Sequence, residues 1–273
     1  MAATTTNSVW YVYGVVPGDT SMTSIPGGID DAGVSIERVS DIAALVSVLD
    51  GPEYSPRAIE RASGDVEWLS PRAVAHDRVL TWASDHGAVV PLPMFSLFSG
   101  EDAVHRMLSD RATQLGRTLT RVAKGREYAL RVYRIDAELL ENVGALSPRL
   151  AEMSAAAASA SPGQRYLLER KLDAEKKSEM RVVTQRIVDD IVEQLTPNAM
   201  AAARSPIPKT PSADGGRGTM VLNTAFLVSP GALDGFQKTL TALVEQYGAS
   251  GFRFDFTGPW PPYHFVDDGD GAE

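Results

Sequence analysis

The apolar positions of this chain repeat every two residues in some stretches and about every four in others, and each change of period marks a predicted element. Val9 to Val16, rich in aromatic and β-branched residues, reads as a strand that stops at Pro17-Gly18. Past the turn cluster Ile25-Pro26-Gly27-Gly28, the runs Val34 to Val39 and Ile42 to Leu49 are close enough to pair as a hairpin. A helix is predicted from Ser70-Pro71, a capping serine followed by proline, to Gly87, with Val74, Val79 and Trp82 turned inward. Ala88 to Phe95 reads as a short strand that Pro91 and Pro93 push to a sheet edge or bend sharply. Glu101 to Lys124 carries Val104, Met107, Leu108, Leu115, Leu119 and Val122 at near-helical spacing and is stopped by Gly125; Tyr128 to Ile135 then alternates as a strand does.

One long helix organises the second half, beginning at Ser161-Pro162-Gly163 and running to Leu195, before Pro197. Its first half, Leu172 to Glu179 above all, is polar and is predicted to project into solvent, with pairs such as Asp173 and Lys177 on its surface. Its second half repeats Val183, Ile187, Ile191 and Leu195 as an apolar stripe that must pack. The alanine-rich Ala151 to Ala160 before it is helical by propensity but has little side chain to bury. Thr196 to Gly218, rich in Pro, Ala, Ser and Gly, is predicted as a mobile loop. A strand from Met220 to Val228, an amphipathic helix from Pro230 to Tyr247 and a strand from Phe252 to Phe256 follow.

This order predicts an α+β chain of two domains: residues 1–125 with a mainly antiparallel sheet, and residues 126–273 as a modified ferredoxin-like unit. The second would have extra helices, a disordered loop near 197–218 and an extended proline and aromatic tail from 258. A length of 273 residues is enough for two cores of ordinary size. The absence of cysteine excludes disulfides, thiolate nucleophiles and sulfur-ligated metals. A net charge of −9 disfavours nucleic acid and anionic membrane surfaces as partners. No stretch reads as an export signal or membrane span, so a cytoplasmic location is expected.

The end of the chain, Gly258-Pro259-Trp260-Pro261-Pro262-Tyr263, is its least ordinary segment. Its prolines fix φ and remove backbone donors, so it is expected to run extended over a surface and outside any sheet. Trp260 and Tyr263 would then act as a clamp on the protein itself or as a contact for a partner, and Pro259 with Pro262 also satisfies the P-x-x-P spacing read by aromatic grooves. Phe254 to Phe265, Phe-Asp-Phe-Thr-Gly-Pro-Trp-Pro-Pro-Tyr-His-Phe, resembles the closing motif of the gas vesicle protein F and L family. Trp10 to Val16 resembles that family's opening strand, His76 to Leu80 with Val89 to Phe95 its middle block, and Arg165 to Lys171 a further block. The chain departs from the pattern at Met94, where many members carry arginine before the phenylalanine. The resemblance implies a two-domain accessory protein of gas vesicle formation, in contact with the small hydrophobic shell protein (GvpA-like) and with other accessory proteins. The alternative is a ferredoxin-like domain that binds a small molecule between sheet and helices, or an enzyme built on one.

No catalytic constellation is expected, and no cofactor or metal. His76, His86, His105 and His264 are not spaced as a metal pair, and His76 reads as a structural histidine. The glycines from 215 to 218 lack the Gly-Lys-Ser/Thr ending of a phosphate loop and precede a strand. The neighbours Asp189-Asp190 and Asp267-Asp268 diverge too far to share a proton. For partner contact the best candidate is the proline-bearing edge, with Leu92, Met94, Phe95 and Phe98 as apolar contacts, because such an edge presents side chains without inviting fibre growth.

Overall fold

The computed structural model describes residues 8–21, 23–208 and 218–266, which group into two compact units, 1–127 with 259–273 and 128–258. Most of the glycine run at 215–218, much of the predicted loop and Asp267-Asp268 lie outside the described residues.

In the first unit, β1 (Ser8–Pro17) is the strand around which the sheet forms, with order β2-β3-β1-β4 and β5 also pairing to β1. Its stretch from Tyr11 to Val16 is fully buried, as a central strand requires. The predicted hairpin is present as β2 (Ser35–Val39) and β3 (Ile42–Asp50), antiparallel, with Val39 opposite Ile42 across a two-residue turn in which Ser40 takes φ 53°. β1 pairs antiparallel with β3 and shifts register between Val12 and Gly14, a bulge at Tyr13. Gly14 is forced by packing, since a Cβ there would sit 2.8 Å from the Val90 carbonyl oxygen and 2.9 Å from Leu80 Cδ2.

Sequence signals and structure diverge at the next helices. A short α1 (Pro56–Ala62) was not expected, although Ser55 caps it and Pro56 opens it in the manner looked for at Ser70-Pro71. α2 runs Val66–His86, begun by Asp65, whose carboxylate accepts from the Glu67 and Trp68 amides. Pro71 therefore lies inside the helix, on its exposed face, where it cannot donate to the Glu67 carbonyl. Val74, expected inside, is 64% exposed, whereas Val79 and Trp82 are buried. The single strand expected from Ala88 to Phe95 is instead two short ones, β4 (Val90–Pro91) and β5 (Leu97–Phe98), with a bend between them. α3 (Glu101–Val122) covers the sheet with Val104, Leu108, Leu115 and Leu119.

The second sheet has the order β7-β8-β6-β9. Along the chain its elements run β6 (Arg126–Arg134), α4 (Asp136–Leu146), α5 (Pro148–Ser159), α6 (Pro162–Leu195), β7 (Ala201–Arg204), β8 (Thr219–Val228), α7 (Leu233–Tyr247) and β9 (Phe252–Trp260). α4 was not anticipated. β7 falls in the stretch whose composition predicts a loop, and it pairs antiparallel with β8 from Ala201 opposite Leu227 to Arg204 opposite Thr224. Three alanines carry no strand signal, and pairing with a neighbour decides their conformation. β9 continues to Trp260, four residues beyond the expected end at Phe256, so Pro259 does lie in a sheet, tolerated because β9 is an edge strand. The stripe Val183, Ile187, Ile191 and Leu195 is buried at 1% exposure or less, while Tyr166 and Leu167 in the first half of α6 are exposed. Asp173 pairs with Lys176 and not with Lys177. Ile187, Ile191, Phe226, Phe236 and Leu243 fill the space between sheet and helices, where the alternative small-molecule reading would place its ligand.

Candidate functional site

The segment 92–98 and the tail, both singled out in the sequence, anchor on adjacent residues of α2. The bulge at Tyr13 frees its carbonyl to accept from the Leu92 amide at 3.0 Å, and the Val12 amide donates to Ser96 at 2.9 Å. β5 continues this attachment with Leu97 opposite Tyr11 and Phe98 opposite Trp10. Between them Phe95 has φ 66°, a conformation non-glycine residues rarely adopt. Its amide donates to the Tyr11 hydroxyl at 3.1 Å, and its ring stacks on Trp68 and meets Tyr11 edge-on. The Tyr11 hydroxyl in turn lies 2.8 Å from His76 Nδ1.

His76 is buried, and that burial drives its pKa down to about 4, opposed by the charge of Asp77 and a backbone hydrogen bond at Leu92. It is neutral at pH 7 and works as a hydrogen-bonding post. Tyr11 and Tyr13 are pushed upward by the same desolvation and stay protonated. The arrangement offers no activated nucleophile. It fixes the backbone of 92–95 so that Leu92, Met94 and Phe98 are half-buried, each with part of its side chain at the surface, while Phe95 packs inward against the core.

The tail binds within the first unit. Pro261 and Pro262 are buried, so the P-x-x-P pair does not present a free polyproline face. The Tyr263 hydroxyl donates to Asp77 Oδ1 at 3.1 Å. The His264 amide donates to Glu127 Oε2 at 3.0 Å and its Nδ1 lies 2.7 Å from Oε1 of the same carboxylate. Arg121 donates to the Phe265 carbonyl at 2.9 Å, and the Phe265 ring is 7% exposed. Glu127 is 2% exposed, and burial raises its pKa against the lowering effect of His264. Trp260 is 40% and Tyr263 39% exposed, so Pro261, Pro262 and Phe265 are the buried residues of the tail and its two large rings are only partly covered. Pro259 is exposed.

Elsewhere, Asp189 and Asp190 face different partners as expected, Arg204 for the first and Tyr247 for the second. A depression of about 340 Å³ in the second unit is lined by Arg134, Leu140, Lys177, Met180 and Arg181 among others. Sequence reasoning missed one cluster: Glu37, Glu101 and His105 converge from β2 and α3. A search for paired histidines passes over it, because one histidine is joined by two carboxylates, one of them on a distant strand.

A neutral buried histidine, protonated tyrosines and a strapped tail belong to a two-unit α+β protein. The chain belongs to the gas vesicle synthesis protein GvpL/GvpF family, whose model matches residues 9–267. It is 27% identical over 265 residues to gas vesicle protein L of Streptomyces sp. (strain CB03234), covering 96% of this chain and 94% of that protein. It is also 27% identical over 260 residues to gas vesicle protein F of the same organism, covering 94% of this chain and 99% of that one. The fold is shared with the crystal structure of GvpF from Microcystis aeruginosa, with a TM-score of 0.64 and 19% identity over 95% of this chain and 99% of that chain. It is likewise shared with GvpF from Anabaena sp. PCC7120, with a TM-score of 0.67 and 17% identity over 95% and 96%. Among the described residues no helix is long and apolar enough to cross a membrane.

Proposed function

We propose that this chain is a non-catalytic accessory protein of gas vesicle assembly that binds the small hydrophobic shell protein and other accessory proteins, in the cytoplasm and at the growing vesicle. The observation that carries the reading is the family match across residues 9–267. A shell protein that aggregates in water needs a carrier that stays soluble, and a net charge of −9 suits that role. The contact surface is the segment 92–98, with Leu92, Met94 and Phe98 touching the partner and Phe95 holding the segment in place from beneath. The tail from Pro259 to Tyr263 clamps the first unit, with Trp260 at its outer face.

Co-expression with the shell protein tests this, using a tag on this chain and measuring soluble shell protein in the eluate. Recovery should depend on this chain and should be lost in Leu92→Asp/Met94→Asp with tryptophan fluorescence unchanged. Full recovery with the folded double variant would overturn the assigned surface. No recovery even with the whole accessory set present would overturn the carrier role.

A further inference from the structure

We propose that Glu37, Glu101 and His105 form a binding site for a zinc-type divalent cation. Glu37 lies on β2, in register with Ala44 of β3, and Glu101 and His105 occupy the same face of α3 at i and i+4. All three ligand atoms lie within 4.8 Å of one another. His105 Nε2 is 3.4 Å from Glu37 Oε2 and 4.0 Å from Glu101 Oε1. Bond lengths of about 2.0–2.2 Å at a tetrahedral zinc place neighbouring ligand atoms about 3.4 Å apart, so the imidazole and Glu37 already stand at the spacing of one edge. A small rotation of the exposed Glu101 side chain brings in the third.

A second observation points the same way. The His105 side chain is 37% exposed, but its Nε2 atom is shut off from solvent and makes no aligned hydrogen bond among the described residues, standing only at ion-pair distance from the two carboxylates. A buried polar atom left without a partner is costly, and here it lies beside two carboxylates without making an aligned hydrogen bond to either. A cation held jointly by the three removes that cost. One imidazole with two carboxylates suits zinc better than magnesium or calcium, which favour all-oxygen shells. Three protein ligands leave a fourth position for water. The ion would join β2, the outermost strand of its sheet, to the helix that covers that sheet.

Isothermal titration calorimetry of the untagged full chain with zinc chloride provides the test, in buffer containing excess magnesium. The expected result is one site per chain, weakened at least tenfold in Glu37→Gln and in His105→Gln and retained in His86→Gln. Each variant is first checked for a wild-type circular dichroism spectrum, and glutamine at 37 keeps the size of the side chain it replaces. Absence of zinc binding, binding that survives in both Glu37→Gln and His105→Gln, or displacement of zinc by magnesium would each overturn the proposal.

Discussion

Acid should destabilise the first unit through a single buried histidine, His76. In the unfolded chain its pKa is 6.5 and in the folded protein about 4, because burial disfavours the imidazolium. A histidine depressed in this way contributes no penalty above the unfolded value. As pH falls below about 6.5 the unfolded chain takes up a proton that the folded chain refuses, so stability is lost down to about pH 4 and then levels off. Between pH 7 and pH 5 the loss amounts to about 2 kcal/mol. All four tryptophans, Trp10, Trp68, Trp82 and Trp260, belong to the first unit, so their fluorescence during urea unfolding reports on that unit. His76→Gln keeps a hydrogen-bonding head but does not titrate. The stability difference between wild type and this variant should shrink by about 2 kcal/mol from pH 7 to pH 5. Glu127 acts with the opposite sign: its raised pKa means that stability is lost as pH rises through the folded value, and this contribution is common to both proteins and cancels. A difference that stays constant within about 0.5 kcal/mol over this range would refute the assignment of His76 as a neutral buried post.

Phe265→Ala should cost about 3 kcal/mol, since the ring is nearly fully buried, whereas Trp260→Ala should cost about 1–2 kcal/mol, with much of the indole already in water. Urea unfolding followed by far-ultraviolet circular dichroism ranks the two, and the reverse order would return the clamp to Trp260. Gly14→Ala should cost about 1–3 kcal/mol, because the added methyl meets the Val90 backbone, which cannot swing aside. An unchanged melting temperature for Gly14→Ala would mean that the close approach of β4 to β1 is not needed.

Elements decided by local pattern were legible in the sequence. The β2–β3 hairpin, α3, the stripe of α6 and β8 each carry their own periodicity, and each is present with ends near those expected. Elements decided by competition or by distant partners were not. Ser70-Pro71 is a good helix start, yet Asp65 caps earlier and with two amides, so α2 begins a turn sooner. β7 exists because β8 offers it a ladder, and nothing in Ala201-Ala202-Ala203 announces it. The same division holds for the site. That 92–98 is a proline-bent edge was readable, but that Phe95 faces inward depends on Tyr11 and Trp68, and the convergence of Glu37 with His105 depends on how β2 and α3 meet.

The closing motif is the feature the structure explains most fully, because nearly every residue of Pro261-Pro262-Tyr263-His264-Phe265 has a separate task. The prolines fill buried space without presenting donors that would need partners. Tyr263 satisfies Asp77, and His264 gives Glu127, buried at 2% exposure, two contacts that offset part of the cost of burying a carboxyl group there. Phe265 supplies apolar burial and an acceptor for Arg121. Removing the tail would therefore do more than shorten the chain: it would strand a carboxylate in the first unit and expose the α2 turn whose other neighbour, His76, holds the segment 92–95. The tail and the segment proposed as the contact surface thus meet α2 at adjacent residues, Asp77 for Tyr263 and His76, through Tyr11, for 92–95, so loss of the tail is expected to disturb that segment.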